Sequence, residues 1–343
     1  MRDHRPAVRP APAFPIRLLA LDIDGTLVGQ DTRLSPRIRA AISGAVDRGV
    51  HVSLATGRRS VSAVGFANQL GLSEPIIAHQ GAVIRAMPSR REVPPDDVVP
   101  QRGRVGRLLY HKPMEPDVIR DAIAWCLAND LQAHVHNLEE ILAAADDPRY
   151  EDYSSYYGRD ATFVADLARA VDRPMTKVIS SGEPPAPMRL IGEARRLFAG
   201  RASPTVSHPR FLEFVADGVS KGRAVAWLAH RAGVPLGQVM TIGDALNDLE
   251  MIADAGHGTA MLSAPVELWP SARYLAAPVE EDGSAALIEA LVLVPPEEAS
   301  RNAVRLAEAA REHRRAVLGS DAADGSNATE AAEAPNAAVA APR

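Results

Sequence analysis

A chain of 343 residues, 46% of them hydrophobic, can bury one large core or two ordinary ones. A formal net charge of −5 gives no global basis for nucleic-acid binding, and a single cysteine, Cys126, excludes an intrachain disulfide framework or a cysteine metal cluster. The Arg- and Pro-rich start lacks an apolar stretch of signal-peptide length, and no run of about 18 uncharged apolar residues occurs. The expectation is therefore a cytoplasmic protein with neither membrane nor nucleic acid as partner.

In chain order, residues 1–13 read as a disordered tail and Ile16–Asp24 as a buried strand. Ser35 followed by Pro36 announces a helix, with Ile38, Ala41, Ile42, Ala45 and Val46 on its apolar face and Gly49 closing it. A strand over Val50–Gly57, a helix over about Ser60–Leu70 and a strand over Glu74–Val83 follow. This alternation predicts a doubly wound parallel sheet. The rhythm breaks at Pro88–Arg104, dense in proline and charge, and residues 105–205 mix strands with helices at Pro116–Asn129 and Pro187–Phe198. Cys126 falls at an apolar position of helical period and reads as a buried structural thiol.

The first pattern resumes near Val206 with the strand "FLEFVA", a helix over Lys221–Ala232, a strand over Val239–Asp244, the segment "HGTAML" and a helix over about Ser284–Leu293. The expected organisation is an α/β core over 14–86 and 206–295, split by an α+β domain over 87–205. Hinges are expected near Ala86–Pro88 and Pro204–His208. Pro296–Leu318 reads as a charged amphipathic helix on the solvated surface, and 319–343 as a disordered tail.

Ligands of doubly wound sheets bind at the carboxyl ends of the strands. Those ends carry Asp22 and Asp24, then Thr56, Gly57 and Arg58, then Gln80 and Gly81, then Gly243 and Asp244, with Asn247 and Asp248 in the helix beyond. Alternation would put Asp22 and Asp24 on one side of their strand, where two carboxylates repel unless a cation lies between them. Carboxylate oxygens suit a hard cation, and Mg²⁺ is the usual one where phosphate is handled. An aspartate pair also permits a division of labour. One carboxylate attacks phosphorus; the other donates a proton to the leaving oxygen and then activates water. Thr56 and Lys221 suit the equatorial phosphoryl oxygens. Taken alone, an aspartate pair also serves as a cap-and-turn device; the ordered set does not reduce to one.

On "LDIDGTL" (Leu21–Leu27), "ATGR" (Ala55–Arg58), "GVSKG" (Gly218–Gly222), "GDALNDLEM" (Gly243–Met251) and "AGHGTAM" (Ala255–Met261), the chain resembles haloacid dehalogenase superfamily phosphatases of the Cof-type group, subfamily IIB, with a C2-type cap. The resemblance runs over about residues 16–293. It implies a Rossmann-like parallel-sheet core with an inserted α+β cap, Mg²⁺, and hydrolysis of a small phosphorylated metabolite through an aspartyl-phosphate. By position, Asp22 resembles the nucleophile and Asp24 the acid/base, both with Asp244 as metal carboxylates. Thr56, Gly57 and Lys221 resemble the phosphate-binding residues, and Asn247 and Asp248 the supports of the metal loop. The family often reads Asn-Gly-Ala where this chain has Gln80-Gly81-Ala82, and Met-Gly-Asn-Ala where it has Met261-Leu262-Ser263-Ala264.

Arg58, Gln80, His134 and His136 are candidate substrate contacts, although the two histidines read more simply as a solvent-facing or sheet-surface pair. Tyr150, Tyr153, Tyr156 and Tyr157 read as surface packing in a cap loop, and Glu213 as an ordinary strand residue. Competing functions are a phosphomutase or phosphotransferase of the same fold, and a non-catalytic metabolite-binding regulator; the intact aspartates and Lys221 speak against the latter.

Overall fold

Alternation within one short strand, β1 (Leu18–Leu21), sets the architecture. Leu19 and Leu21 enter one apolar cluster and Leu18 and Ala20 enter another, so helices must cover both faces. In the computed structural model, which describes residues 8–88, 105–145 and 161–319, β1 lies inside a five-stranded parallel sheet. Its other strands are β2 (His51–Leu54), β12 (Val239–Gly243), β13 (His257–Met261) and β14 (Tyr274–Ala276), in the order β14-β13-β12-β1-β2.

The face of Leu19 and Leu21 packs on α1 (Pro36–Asp47), α2 (Ser60–Gln69) and the late helix Gly283–Leu291. The face of Leu18 and Ala20 packs on the helices Lys221–Ala232 and Leu249–Asp254. Ser35 caps α1 by accepting from the Ile38 amide at 3.0 Å, as its sequence signature requires. Next to β2, an isolated parallel bridge between Ala55 and Ile77 brings in β3 (Ile76–Ala78), which pairs antiparallel with β4 (Val83–Arg85) and through it with β5 (Leu108–His111). The expected strand Glu74–Val83 is thus broken after Ala78 by a tight turn.

A second, six-stranded sheet runs β10-β11-β9-β6-β7-β8, built from β6 (Gln132–Asn137), β7 (Glu140–Ala144), β8 (Ala161–Val164), β9 (Lys177–Ser181), β10 (Ala202–His208) and β11 (Phe211–Ala216). One face is covered by α3 (Pro116–Ala128), which buries Cys126, while α4 (Leu167–Ala170) and α5 (Ala186–Leu197) contribute Leu167 and Ala194 to the same apolar cluster. "FLEFVA" therefore does not rejoin the first sheet: β11 pairs with β9 and β10, and the chain crosses between the sheets at Lys112–Glu115 and Asp217–Ser220. These crossings do not coincide with the segments Ala86–Pro88 and Pro204–His208 named from the sequence, because β5 returns to β4 and β10 and β11 close a hairpin.

The remaining helices are α6 (Lys221–Ala232), α7 (Leu249–Asp254), α8 (Gly283–Leu291) and α9 (Pro296–Leu318). Read as a solvated helix, α9 in fact docks: Ala299, Ala303 and Ala310 are buried, and Arg314 donates to the Ala272 carbonyl at 3.2 Å. Among the described residues no helix is long and apolar enough to cross a membrane. Residues 1–7, the four cap tyrosines, the segment 89–104 and the tail beyond 319 lie outside the described residues. Residues 8–13, expected in a disordered tail, instead meet the core: Arg9 Nε donates to the Ala253 carbonyl at 3.2 Å and the Ala13 amide to the Gly237 carbonyl at 2.8 Å.

Candidate active site

β1 stops at Leu21, and the next residues turn at once. Gly25 adopts φ +71°, a conformation open to glycine, and Leu27 and Val28 donate back to the Ile23 carbonyl. A Cβ on Gly25 would lie 2.1 Å from Asp244 Oδ2, so glycine is also what lets the β12 loop approach. The turn separates the two aspartates that strand alternation would have placed together. Asp22 is buried, while the Asp24 carboxylate lies further out and takes a two-pronged contact from Arg58, Nε to Oδ2 at 2.7 Å and Nη2 to Oδ1 at 2.5 Å. The Asp24 side chain, expected as a metal carboxylate, therefore does not join the inner cluster.

That cluster consists of Asp22, Asp244 and Asp248, one oxygen of each lying within 4.8 Å of the others. Lys221, the first residue of α6 and almost fully buried, reaches Asp22 Oδ1 at 2.9 Å and Asp248 Oδ1 at 2.7 Å. Ser220 caps α6 by accepting from the Arg223 amide at 3.2 Å, which fixes where Lys221 begins its reach. Asp248 Oδ2 accepts from the amides of Asp244 and Ala245, each at 3.1 Å, and so shapes the loop after β12. Asp244 accepts from the Thr26 hydroxyl at 3.2 Å.

Three carboxylates around one ammonium leave an excess of negative charge in a poorly hydrated place. Burial pushes the Asp22 carboxyl well above its usual range; Lys221 opposes this, while Asp248, Asp244 and Asp24 add to it. Burial, then Asp248, raises Asp244 to about 7. Burial works against the Lys221 charge, but Asp22 and Asp248 outweigh it and raise its pKa. A divalent cation would relieve the remaining repulsion, and an all-oxygen donor set is what Mg²⁺ takes. Asp248 already accepts from Lys221 and from two main-chain amides, so Asp22 and Asp244, each with one partner among the described residues, have the most capacity left to hold it.

Thr56 follows the Ala55 bridge. Its buried hydroxyl oxygen accepts from the Arg58 amide at 3.1 Å, which leaves the O–H to donate. Gly57 gives room to Gln80, whose Nε2 would stand 2.4 Å from a Cβ placed there.

The second sheet turns a polar face toward these loops. His134, His136, Lys177 and Glu213 alternate with the residues that meet the helices, and all four are buried. The histidines are thus not solvent-facing. His134 is held down to about 3 by burial and by Lys177, and His136 is also well below its usual range, for burial first and then for the proximity of His134 and Lys177, so both imidazoles are neutral at pH 7. Lys177 Nζ donates to Glu213 Oε2 at 2.6 Å and to the Gly57 carbonyl at 2.8 Å. Sequence reasoning passed over Lys177 and treated Glu213 as an ordinary strand residue. The available signal was a lone charged residue within a strand-like run in each of "MTKVIS" and "FLEFVA".

A family model described as haloacid dehalogenase-like hydrolase matches residues 19–288. The chain is 28% identical over 256 residues to an HMP-PP phosphatase of Serratia proteamaculans, a match covering 74% of this chain and 86% of the relative. It is 27% identical over 286 residues to the 5-amino-6-(5-phospho-D-ribitylamino)uracil phosphatase of Bacillus subtilis, covering 79% and 96%. Among solved structures it is similar to a haloacid dehalogenase-like hydrolase from Bacteroides thetaiotaomicron, with a TM-score of 0.64, 25% identity, and 80% of this chain and 99% of that one covered.

Proposed function

The chain belongs to the haloacid dehalogenase-like hydrolases, as a Cof-type phosphatase, and from that premise we propose that it hydrolyses a small phosphorylated metabolite in two steps through Asp22, with Mg²⁺ as cofactor. The observation that carries this is the buried Lys221 ammonium bridging Asp22 and Asp248 beside Asp244, which combines a nucleophile, a cation-binding carboxylate and a phosphate-binding charge. The relatives named above, an HMP-PP phosphatase and a 5-amino-6-(5-phospho-D-ribitylamino)uracil phosphatase, support a small phosphorylated metabolite as substrate; a sugar, polyol or nucleotide-precursor phosphate falls in that class.

In the first step an Asp22 oxygen attacks phosphorus, the bond from phosphorus to the leaving oxygen breaks, and Asp24 gives that oxygen a proton. In the second, Asp24 takes a proton from water, the water oxygen attacks phosphorus, and the bond to Asp22 breaks, releasing inorganic phosphate and restoring the carboxylate. Two of the Lys221 N–H groups are engaged by Asp22 and Asp248, and the third, with the Thr56 O–H, holds the equatorial oxygens. Mg²⁺ held by Asp22 and Asp244 would neutralise charge on the phosphoryl group. Asp24 is engaged with Arg58, so a leaving group takes that guanidinium's place as it enters.

Replacing Asp22→Asn keeps size and removes the attacking oxyanion. Turnover in a metal-replete phosphate-release assay is expected to fall by about a thousandfold or more with an unchanged fold by circular dichroism. Substantial residual activity would refute the covalent role of Asp22.

A further inference from the structure

The turn that interrupts the third strand is the most strained described segment near the site. His79, Gln80 and Gly81 carry φ values of 51°, 61° and 95° in succession, and all three are buried. Side chains other than glycine seldom adopt that region, and such strain persists where the surroundings fix it. Here they do. The His79 amide donates to the Arg58 carbonyl at 3.0 Å and the Gln80 amide to the Thr56 carbonyl at 3.1 Å. A Cβ on Gly81 would lie 2.3 Å from the Ser220 carbonyl oxygen, so the turn also presses against the start of α6, which carries Lys221.

The Gln80 side chain completes the set. Its Oε1 accepts from Asn247 Nδ2 at 2.8 Å, and its Nε2 donates to Glu213 Oε1 at 2.8 Å. Glu213 also accepts from Ser207 and from Lys177, which returns to the Gly57 carbonyl. One hydrogen-bonded chain therefore runs Gly57, Lys177, Glu213, Gln80, Asn247. It joins the loop of Thr56 to the loop of Asp244 and Asp248, and two of its members, Lys177 and Glu213, belong to the second sheet.

We propose that Gln80 is a positioning residue, which holds the Asp244–Asp248 loop in register with Thr56 by bridging Asn247 to Glu213, so that docking of the second sheet completes the catalytic arrangement. This rests on the catalytic roles proposed above. An asparagine at this position is one methylene shorter and cannot reach both partners, although it suits the left-handed backbone better than glutamine does.

The test uses the full chain, with Gln80→Asn, Gln80→Glu and the exchange Gln80→Glu/Glu213→Gln, and p-nitrophenyl phosphate as the probe. For Gln80→Asn, kcat is expected to fall about tenfold with little change in KM and no loss of melting temperature. Amide hydrogen exchange in peptides spanning Asp244–Met251 is expected to quicken. Gln80→Glu sets two carboxylates against each other and should be at least as damaging, while the exchanged pair restores donor to acceptor and should recover most of the lost kcat. Wild-type kcat and exchange in Gln80→Asn would overturn the proposal. So would losses that track the melting temperature and are not recovered by the exchanged pair. A wild-type protein inert toward phosphate esters would refute the catalytic roles instead, and the exchange measurement would still decide whether Gln80 orders the loop.

Discussion

Asp244 shows most directly what the site lacks without a cation. Burial, and then the charge of Asp248, lift its carboxyl from an ordinary 3.8 to about 7. Between those values the folded protein holds a proton that the unfolded chain has released, so the metal-free protein loses stability as pH rises from about 4 through about 7. Asp22 is displaced in the same direction. A divalent cation substitutes for those protons and binds the ionised form. Thermal denaturation with and without Mg²⁺ is therefore expected to show almost no stabilisation at pH 5 and a growing shift in melting temperature up to pH 8. A shift of equal size at both values would contradict a carboxylate site with these properties. At this scale the sequence was legible for Asp22, Asp244, Asp248 and Lys221, which the structure brings together. It misled for the Asp24 side chain because a strand's alternation does not extend into a turn.

At the scale of elements, the turns decide where the chemistry sits. Three of the five parallel strands, β1, β2 and β12, were legible because short apolar runs followed by a helix leave few alternatives; β13 was marked only as the segment "HGTAML", and β14, three residues long, was not read at all. The turn after Ala78 was not, since a run such as "EPIIAHQGAV" reads as continuous strand until main-chain bonds to Thr56 and Arg58 bend it. Nor was the partner of β11, because strand pairing is a long-range choice that local pattern does not encode. Gly25 offers an element-level test. Gly25→Ala would place a methyl in the space of the Asp244 carboxylate and force a side chain onto a φ of +71°. It is expected to lower stability by about 1–2 kcal/mol in denaturant titrations and to weaken the Mg²⁺ response of melting. Wild-type values in both would show that the turn tolerates a Cβ and that the close approach to Asp244 is not required.

Across the whole molecule, two sheets divide the work. The parallel sheet presents its strand ends, and the second sheet faces them with Lys177, Glu213, His134 and His136, shielded from water on the side away from its helices. Sheltering of this kind would protect the proposed acyl phosphate from bulk water between the two proposed steps. Detection of that intermediate tests the central claim most directly. In Asp24→Asn the proposed first step is expected to survive with an activated leaving group, which needs no proton, and the second to slow because water would no longer be deprotonated. Rapid acid quench of this variant with radiolabelled p-nitrophenyl phosphate and Mg²⁺, followed by peptide mapping, is expected to place a hydroxylamine-labile phosphoryl group on Asp22. Label on any other residue, or phosphate release by the variant with no covalently bound phosphoryl group at any quench time, would contradict it.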